Sequence, residues 1–168
     1  MTAYRTLLLL CLLISANASA ADATLRQPRP NLITAGQPSA QQLRDAAAAG
    51  VRTVIDLRQP DEDRGFDEAA LAEQLGLRYV RLPIAGASGI TEDNARTLQR
   101  LLKQDQGRTL LHCASSNRAG ALLALINGRL EGASAEAALQ LGRDAGMTSL
   151  EPAARAALEA AASSPPTH

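Results

Sequence analysis

The chain has 168 residues, with 17 Lys and Arg against 17 Asp and Glu, so its formal charge is zero and it carries no basic field of the kind that binds nucleic acid. A hydrophobic fraction of 46% with 20% charged residues excludes wholesale disorder, and 2% aromatic residues cannot build a base-stacking platform. One domain with an aliphatic core is expected at this length.

At the N-terminus, Arg5, the apolar run Leu7–Ile14 and the small residues Ala18-Ser19-Ala20 read as a signal peptide over residues 1–20, which implies a periplasmic or secreted protein. The run is too short for a membrane span, which needs about 20 apolar residues, so no membrane association is expected after cleavage; an uncleaved anchor is the alternative. Cys11 follows leucines rather than a small residue, which argues against a lipoprotein signal. Residues 21–30, with Pro28 and Pro30, read as a loose lead-in.

A short strand is predicted over Leu32–Thr34, a turn at Gly36-Gln37-Pro38, and a helix over Gln41–Ala49 capped by Ser39 and closed by Gly50. The β-branched run Val51–Leu57 reads as a buried strand, Arg58–Gly65 as a charged loop, Asp67–Gln74 as a helix, and Arg78–Ile84 as a strand with Pro83 near its end. After a loop over Ala85–Ile90, Thr91 caps a helix running to about Gln104, with Leu98, Leu101 and Leu102 on one face. Arg108–His112 reads as a strand and Ala119–Leu130 as an apolar helix; further helices are predicted from Ser134 to Arg143 and from Pro152 onward. Strands alternating with helices predict an α/β fold with a mainly parallel central sheet and helices on both faces, spanning residues 31–162 and followed by a flexible tail, 163–168.

Cysteine and histidine are scarce, and that excludes several chemistries. The chain has two of each: Cys11 in the predicted signal, Cys113, His112 and the terminal His168. A mature chain with one thiol has no internal disulfide, and a structural zinc site rich in thiol or imidazole cannot be assembled. Ser-His-Asp and Cys-His-Asn enzymes need a histidine from elsewhere in the fold, whereas His112 is the immediate neighbour of Cys113.

The segment His112-Cys113-Ala114-Ser115-Ser116-Asn117-Arg118 lies between a predicted strand and a predicted helix, where α/β sheets bind ligands. The free N–H groups and positive dipole end of that helix form an anion site and favour a thiolate at Cys113. Arg118 can hold two oxygens of a tetrahedral anion. Small polar Ser115, Ser116 and Asn117 let the backbone curl around it, and Asn tolerates left-handed angles. His112 either orients the loop by hydrogen bonding or is a satisfied core histidine. Asp56 either faces the site or bonds Arg58 and nearby backbone. Arg58 with Glu62 reads as a structural pair. The bland alternative for Cys113 and Arg118 is a buried inert thiol beside a surface arginine.

The His-Cys-(several)-Arg pattern resembles the cysteine-dependent phosphatase superfamily. With Gly36-Gln37-Pro38, Ile55-Asp56-Leu57-Arg58, Gly76-Leu77-Arg78-Tyr79 and Cys113 to Arg118 in order, the chain more closely resembles the bacterial beta-lactamase-hydrolase-like phosphatase domains, over roughly residues 31–147. The resemblance implies a cysteine-phosphatase-like fold and a two-step transfer. The Cys113 thiolate attacks phosphorus, Arg118 and the N–H groups of Ala114 to Arg118 hold the oxygens, an acid protonates the leaving oxygen, and water releases phosphate. No metal or other cofactor is implied, and the partner is a phosphorylated small molecule or protein. Asp93, or Glu92 beside it, lies where related phosphatases place the acid; as first-turn acids behind Thr91, both are otherwise explained by the helix dipole.

Two departures bear on rate: Ser116 replaces the usual loop glycine, and Ala119 replaces the hydroxyl that follows the arginine in many phosphatases. Two rival readings remain. One is a rhodanese-like sulfurtransferase carrying a persulfide on Cys113, suited to a loop of four intervening residues. The other is a non-catalytic anion-binding or partner-binding module.

Overall fold

The computed structural model describes residues 23–104 and 107–160; the predicted signal peptide and tail lie outside them. Five strands form one sheet: β1 (Arg26–Arg29), β2 (Leu32–Ala35), β3 (Val51–Asp56), β4 (Arg78–Arg81) and β5 (Arg108–His112). Their order is β1-β2-β5-β3-β4, and every pairing is parallel except the β1–β2 hairpin. The predicted mainly parallel sheet is therefore what the chain builds.

The lead-in is a correction. Residues 26–29 form a strand, Arg26 opposite Thr34 and Arg29 opposite Leu32. Pro28 signalled a loose segment, but at a sheet edge a missing N–H leaves no ladder bond unmade. β4 is shorter than predicted because Pro83 interrupts its ladder. Extended pairing continues past Arg81 only through Leu82 N and Ile84 N, which donate to Asp56 O and Leu57 O.

Among the described residues, six α-helices cover the sheet: α1 (Ala40–Ala48), α2 (Glu68–Gln74), α3 (Glu92–Gln104), α4 (Asn117–Leu125), α5 (Ala135–Asp144) and α6 (Glu151–Ala160). Ser39 caps α1 with a reciprocal bond from Gln42, and Asp67 and Ser134 cap α2 and α5. On one face of the sheet, Leu43 and Ala46 of α1 and Ala72 of α2 pack with Val51, Val54 and Leu110. On the other, α3 to α6 bury Ala95, Leu98, Leu122, Leu139 and Leu158 with Ile55, Leu57, Leu111 and Cys113. Alternation along β5 sends Leu110 to the first layer and Leu111 to the second. Among the described residues, no helix is long and apolar enough to cross a membrane.

α4 is the apolar heart of the second layer: its residues from Ala119 to Leu125 are all buried. It begins two residues earlier than predicted and opens into a wider π-type turn over Ile126–Leu130. It passes α5 at backbone distance, since a Cβ on Gly120 would meet Gly142 O at 2.4 Å and Met147 N at 2.5 Å. Gly120→Ala is expected to lower stability by about 3 kcal/mol through overpacking that a backbone neighbour cannot relieve, measured as a shifted urea midpoint at unchanged m-value.

Candidate active site

β5 lies between β2 and β3, so its carboxyl end opens at the middle of the sheet. There the chain leaves His112, passes Cys113 and enters α4 at Asn117. The end of β2 holds the first half of this loop. Cys113 N donates to Ala35 O (3.4 Å), Gln37 N donates to Ala114 O (3.2 Å), and Gly36 bridges Ser115. A Cβ on Gly36 would stand 3.1 Å from Ala114 O, so the approach of Gly36-Gln37-Pro38 to the loop needs a glycine.

The second half turns at Ser116, whose φ of 67° is the left-handed conformation a loop glycine would take. Buried Ser116 Oγ donates to Ala145 O at 2.7 Å, beside Thr34 Oγ1, which donates to the same oxygen at 3.0 Å. The left-handed position is thus Ser116 and not Asn117. Asn117 is turned away from the loop: its Oδ1 accepts from Thr148 N and Leu150 N, and its Nδ2 donates to Ser149 Oγ at 2.7 Å. Gly120 N is the first amide of α4 to bond back, to Ser116 O, which leaves the first-turn amides at Asn117, Arg118 and Ala119 as orphan donors at the positive end of the helix.

Cys113 is fully buried, and Arg118 comes to it from the first turn of α4. Arg118 is gripped from the far side by Glu62, which accepts from Nη1 and Nη2 at 2.6 Å each. Nη1 also donates to Ile84 O at 3.0 Å and Leu57 O at 3.4 Å. The hydrogen bond to Glu62, reinforced by the nearby Cys113 sulfur, raises Arg118 above its ordinary range against the opposing effect of burial. Reciprocally, Arg118 holds the Glu62 carboxyl below the usual carboxylate range. Glu62 uses the end-on edge of the guanidinium and leaves the Nε–Nη2 edge for an oxyanion.

This arrangement corrects the expected Arg58–Glu62 pair. Arg58 turns into the interior, because Asp56 and Glu68 are both buried there and need a counter-charge. Its Nε donates to Asp56 Oδ1 at 2.9 Å, its Nη2 to Asp56 Oδ2 at 3.1 Å, and Nη2 also pairs with Glu68. Asp56 takes the second of its two readings, bonding Arg58 and the Arg58 backbone N–H (2.9 Å) rather than facing the loop. Burial alone would raise the Asp56 carboxyl, but the Arg58 bonds prevail and hold it far below the usual range.

His112 is buried in the core, and its ring nitrogens make no hydrogen bond to the loop among the described residues. Alternation along β5 places it on the face opposite Cys113, where its Nε2 lies 2.9 Å from Glu68 Oε1, off the line of a good hydrogen bond. Asp56, Glu68 and His112 bring one donor atom each within 4.8 Å of one another. They do not fit a metal centre: Asp56 is occupied by Arg58, Arg64 (3.4 Å) and the Tyr79 hydroxyl (2.8 Å), and the Arg58 guanidinium already fills the space between the carboxylates.

The acidic candidates separate. Glu92 is committed to Arg96 and to Arg129, whose Nη2 lies 2.8 Å from Glu92 Oε2. Asp93 is exposed in the first turn of α3 and has no ion pair among the described residues. A cavity of about 960 Å³ opens beside Ala114 and Ser115, walled by the Gly36–Gln41 turn, by Asp63, Gly65 and Phe66, and by Arg26. Sequence reasoning missed Glu62 as the partner of Arg118, Glu68 in the buried cluster, and Asp63 on the cavity wall. The local sequence shows only a charged loop; its partner lies 56 residues away.

Residues 13–157 match the family described as a DSP-PTPase phosphatase fused to NAD+ kinase. Among curated proteins, the "Beta-lactamase hydrolase-like protein" of Xylella fastidiosa is 36% identical over 107 residues, 60% of this chain and 25% of that protein. The protein of the same description from Agrobacterium fabrum is 29% identical over 107 residues. The chain thus matches about a quarter of the length of these relatives. A putative phosphatase of Neisseria meningitidis shares the fold with a TM-score of 0.69 at 22% identity, covering 81% of this chain and 96% of that one. TpbA of P. aeruginosa, solved in complex with pTyr, does so with a TM-score of 0.63 at 23% identity, covering 84% and 90%.

Two outcomes are expected from the site's construction. Ser116→Gly is expected to be more stable than Ser116→Ala by about 1 kcal/mol in urea unfolding, since both lose the bond to Ala145 O but only alanine keeps the left-handed strain. Asp56 titrates lower folded than unfolded, so its contribution is present above the unfolded value of about 3.9 and is lost as the pH falls below it. Asp56→Asn is expected to cost about 3 kcal/mol at neutral pH and to flatten the acid limb of a stability–pH curve.

Proposed function

Because the chain belongs to the family of DSP-PTPase phosphatases fused to NAD+ kinase, we propose that it is a cysteine-dependent phosphatase that hydrolyses phosphomonoesters through a phosphocysteine on Cys113. The observation that carries this reading is the placement of Arg118. It stands beside Cys113 at the N-terminus of α4, with one guanidinium edge locked by Glu62 and the Cys113 sulfur as a further neighbour.

In the first step the Cys113 sulfur forms a bond to phosphorus as the bond to the leaving oxygen breaks, and an acid gives that oxygen its proton. Arg118 and the first-turn amides of α4 hold the non-bridging oxygens as charge redistributes. In the second step water attacks phosphorus, the S–P bond breaks, and the acid recovers a proton. Cys113 is fully buried, and the cavity beside it is lined by its loop neighbours Ala114 and Ser115. Two exposed carboxylates are candidates for the acid, Asp93 and Asp63. The cavity favours Asp63, which lines it, over Asp93, which does not.

A second reading, sulfur transfer through a Cys113 persulfide, is favoured by the four-residue spacing between Cys113 and Arg118 and by the lack of any carboxylate in Ala85–Ile90. It needs no acid. A periplasmic or secreted location, from the signal-peptide reading, is part of the same proposal.

Incubation with an aryl phosphate is expected to release phosphate, and Cys113→Ser is expected to abolish that release. Thiocyanate from thiosulfate plus cyanide, without phosphate release, would favour the second reading. Asp63→Asn is expected to lower kcat at least a hundredfold for a phenyl leaving group and far less for a nitrophenyl one, because a good leaving group needs no proton. The same pattern in Asp93→Asn instead would reassign the acid.

A further inference from the structure

The cavity beside the Cys113 loop carries a cation that the proposed reaction does not use. Arg26 lies in β1, half-buried, and lines the cavity together with Ala114 and Ser115. Its guanidinium is close to the Cys113 loop: Ser116 Oγ and Arg26 Nη1 stand 2.8 and 3.2 Å from a single point, where a Cβ on Gly146 would be. Among the described residues Arg26 has no acidic partner, and its bond to Thr24 O is long, at 3.5 Å.

By contrast, Arg58 is paired with Asp56 and Glu68, and Arg118 with Glu62. A partly desolvated guanidinium without an ion-pair partner is costly unless a ligand meets it. The cavity is also far larger than a phosphate group needs, and its volume suits a ligand the size of a nucleotide. Phe66 supplies an apolar wall, and Gln37, Ser39 and Gln41 supply hydrogen-bonding groups.

We propose that Arg26 is a specificity-determining residue that binds a second anionic group on the substrate, so that the preferred substrates are phosphomonoesters carrying another phosphate or carboxylate. This rests on the phosphatase reading for the scissile group alone. Arg118 and the amides of α4 take the phosphate to be removed, and Arg26, on the cavity that Ala114 and Ser115 also line, takes the other charge. The gain is one charge-assisted pair made on binding, which corresponds to about a tenfold change in affinity.

The test measures binding of adenosine 5′-monophosphate and adenosine 3′,5′-bisphosphate to the full chain carrying Cys113→Ser, by calorimetry at fixed ionic strength. The bisphosphate is expected to bind about tenfold tighter. Arg26→Gln is expected to bring that ratio to about one and Arg26→Lys to restore part of it, a pattern that a purely structural role would not produce. No preference in the parent, or a preference that survives Arg26→Gln, overturns the inference. Aryl phosphate hydrolysis by the unmodified chain is measured alongside. Hydrolysis without the preference sinks the Arg26 subsite and leaves the phosphatase reading standing. An Arg26-dependent preference without hydrolysis sinks the phosphatase reading and supports the subsite.

Discussion

The bidentate pair between Arg118 and Glu62 organises the carboxyl edge of the sheet. A guanidinium has two edges suited to an oxyanion, and only one can be spent on structure if the other is to meet a ligand. Glu62 takes the end-on edge, while the carbonyls of Leu57 and Ile84 converge on Nη1. Those carbonyls follow β3 and β4, so the ends of two strands and the start of α4 meet at one side chain. The pair also draws the loop after β3 across the Cys113 loop, which stations Asp63 and Gly65 on the cavity wall. Each partner moves the other deeper into its charged form, so the clamp stays ionised under ordinary conditions.

On the other face of the sheet the chain sustains a second, wholly internal set of charges. Asp56, Arg58, Glu68 and His112 are buried, and Tyr79 and Arg64 close the cluster from its side. Desolvating so many groups costs several kcal/mol for each ion, and their mutual attraction repays this only because Arg58 bonds both carboxylates at once. The cluster lies directly behind the Cys113 loop, one residue away along β5. Independently of those side chains, His112 O accepts from Leu57 N at 2.9 Å, so the chain after β3 and the last residue of β5 are tied together where the loop departs.

Local patterning made most of the fold legible. The strand at Arg108–His112, the caps at Ser39 and Ser134 and the loop between β5 and α4 follow from apolar runs, turn residues and capping chemistry, each confined to a few neighbours in sequence. β1 was not legible, because a polar, proline-containing segment becomes a strand only when a partner edge is available, and that edge is a tertiary fact. The site divides the same way. Cys113 and Arg118 are read from one loop; the pairing of Glu62 with Arg118 instead of Arg58 depends on which charges are already buried, and so on the finished core. The side for His112 was in principle readable, since strict alternation along β5 forbids two adjacent side chains from sharing a face.

The two departures in the loop act differently once its geometry is considered. Ser116 adopts the angle a glycine would supply and compensates part of the strain with a buried bond to Ala145 O, so the curl of the loop survives the substitution. Ala119 has no such compensation: its side chain is buried among aliphatic neighbours and offers the sulfur no hydroxyl. Holding an anion needs only the amides of α4 and the free edge of Arg118, and both are intact. In the proposed reaction, stabilising the sulfur after the S–P bond breaks is the task that would lose a donor. A loop built this way is stronger as a binding cradle than as a leaving-group activator. On the proposed phosphatase reading, the burden of discrimination and rate would then shift to groups outside the loop, to a carboxylate acting as acid and to contacts with the rest of the substrate.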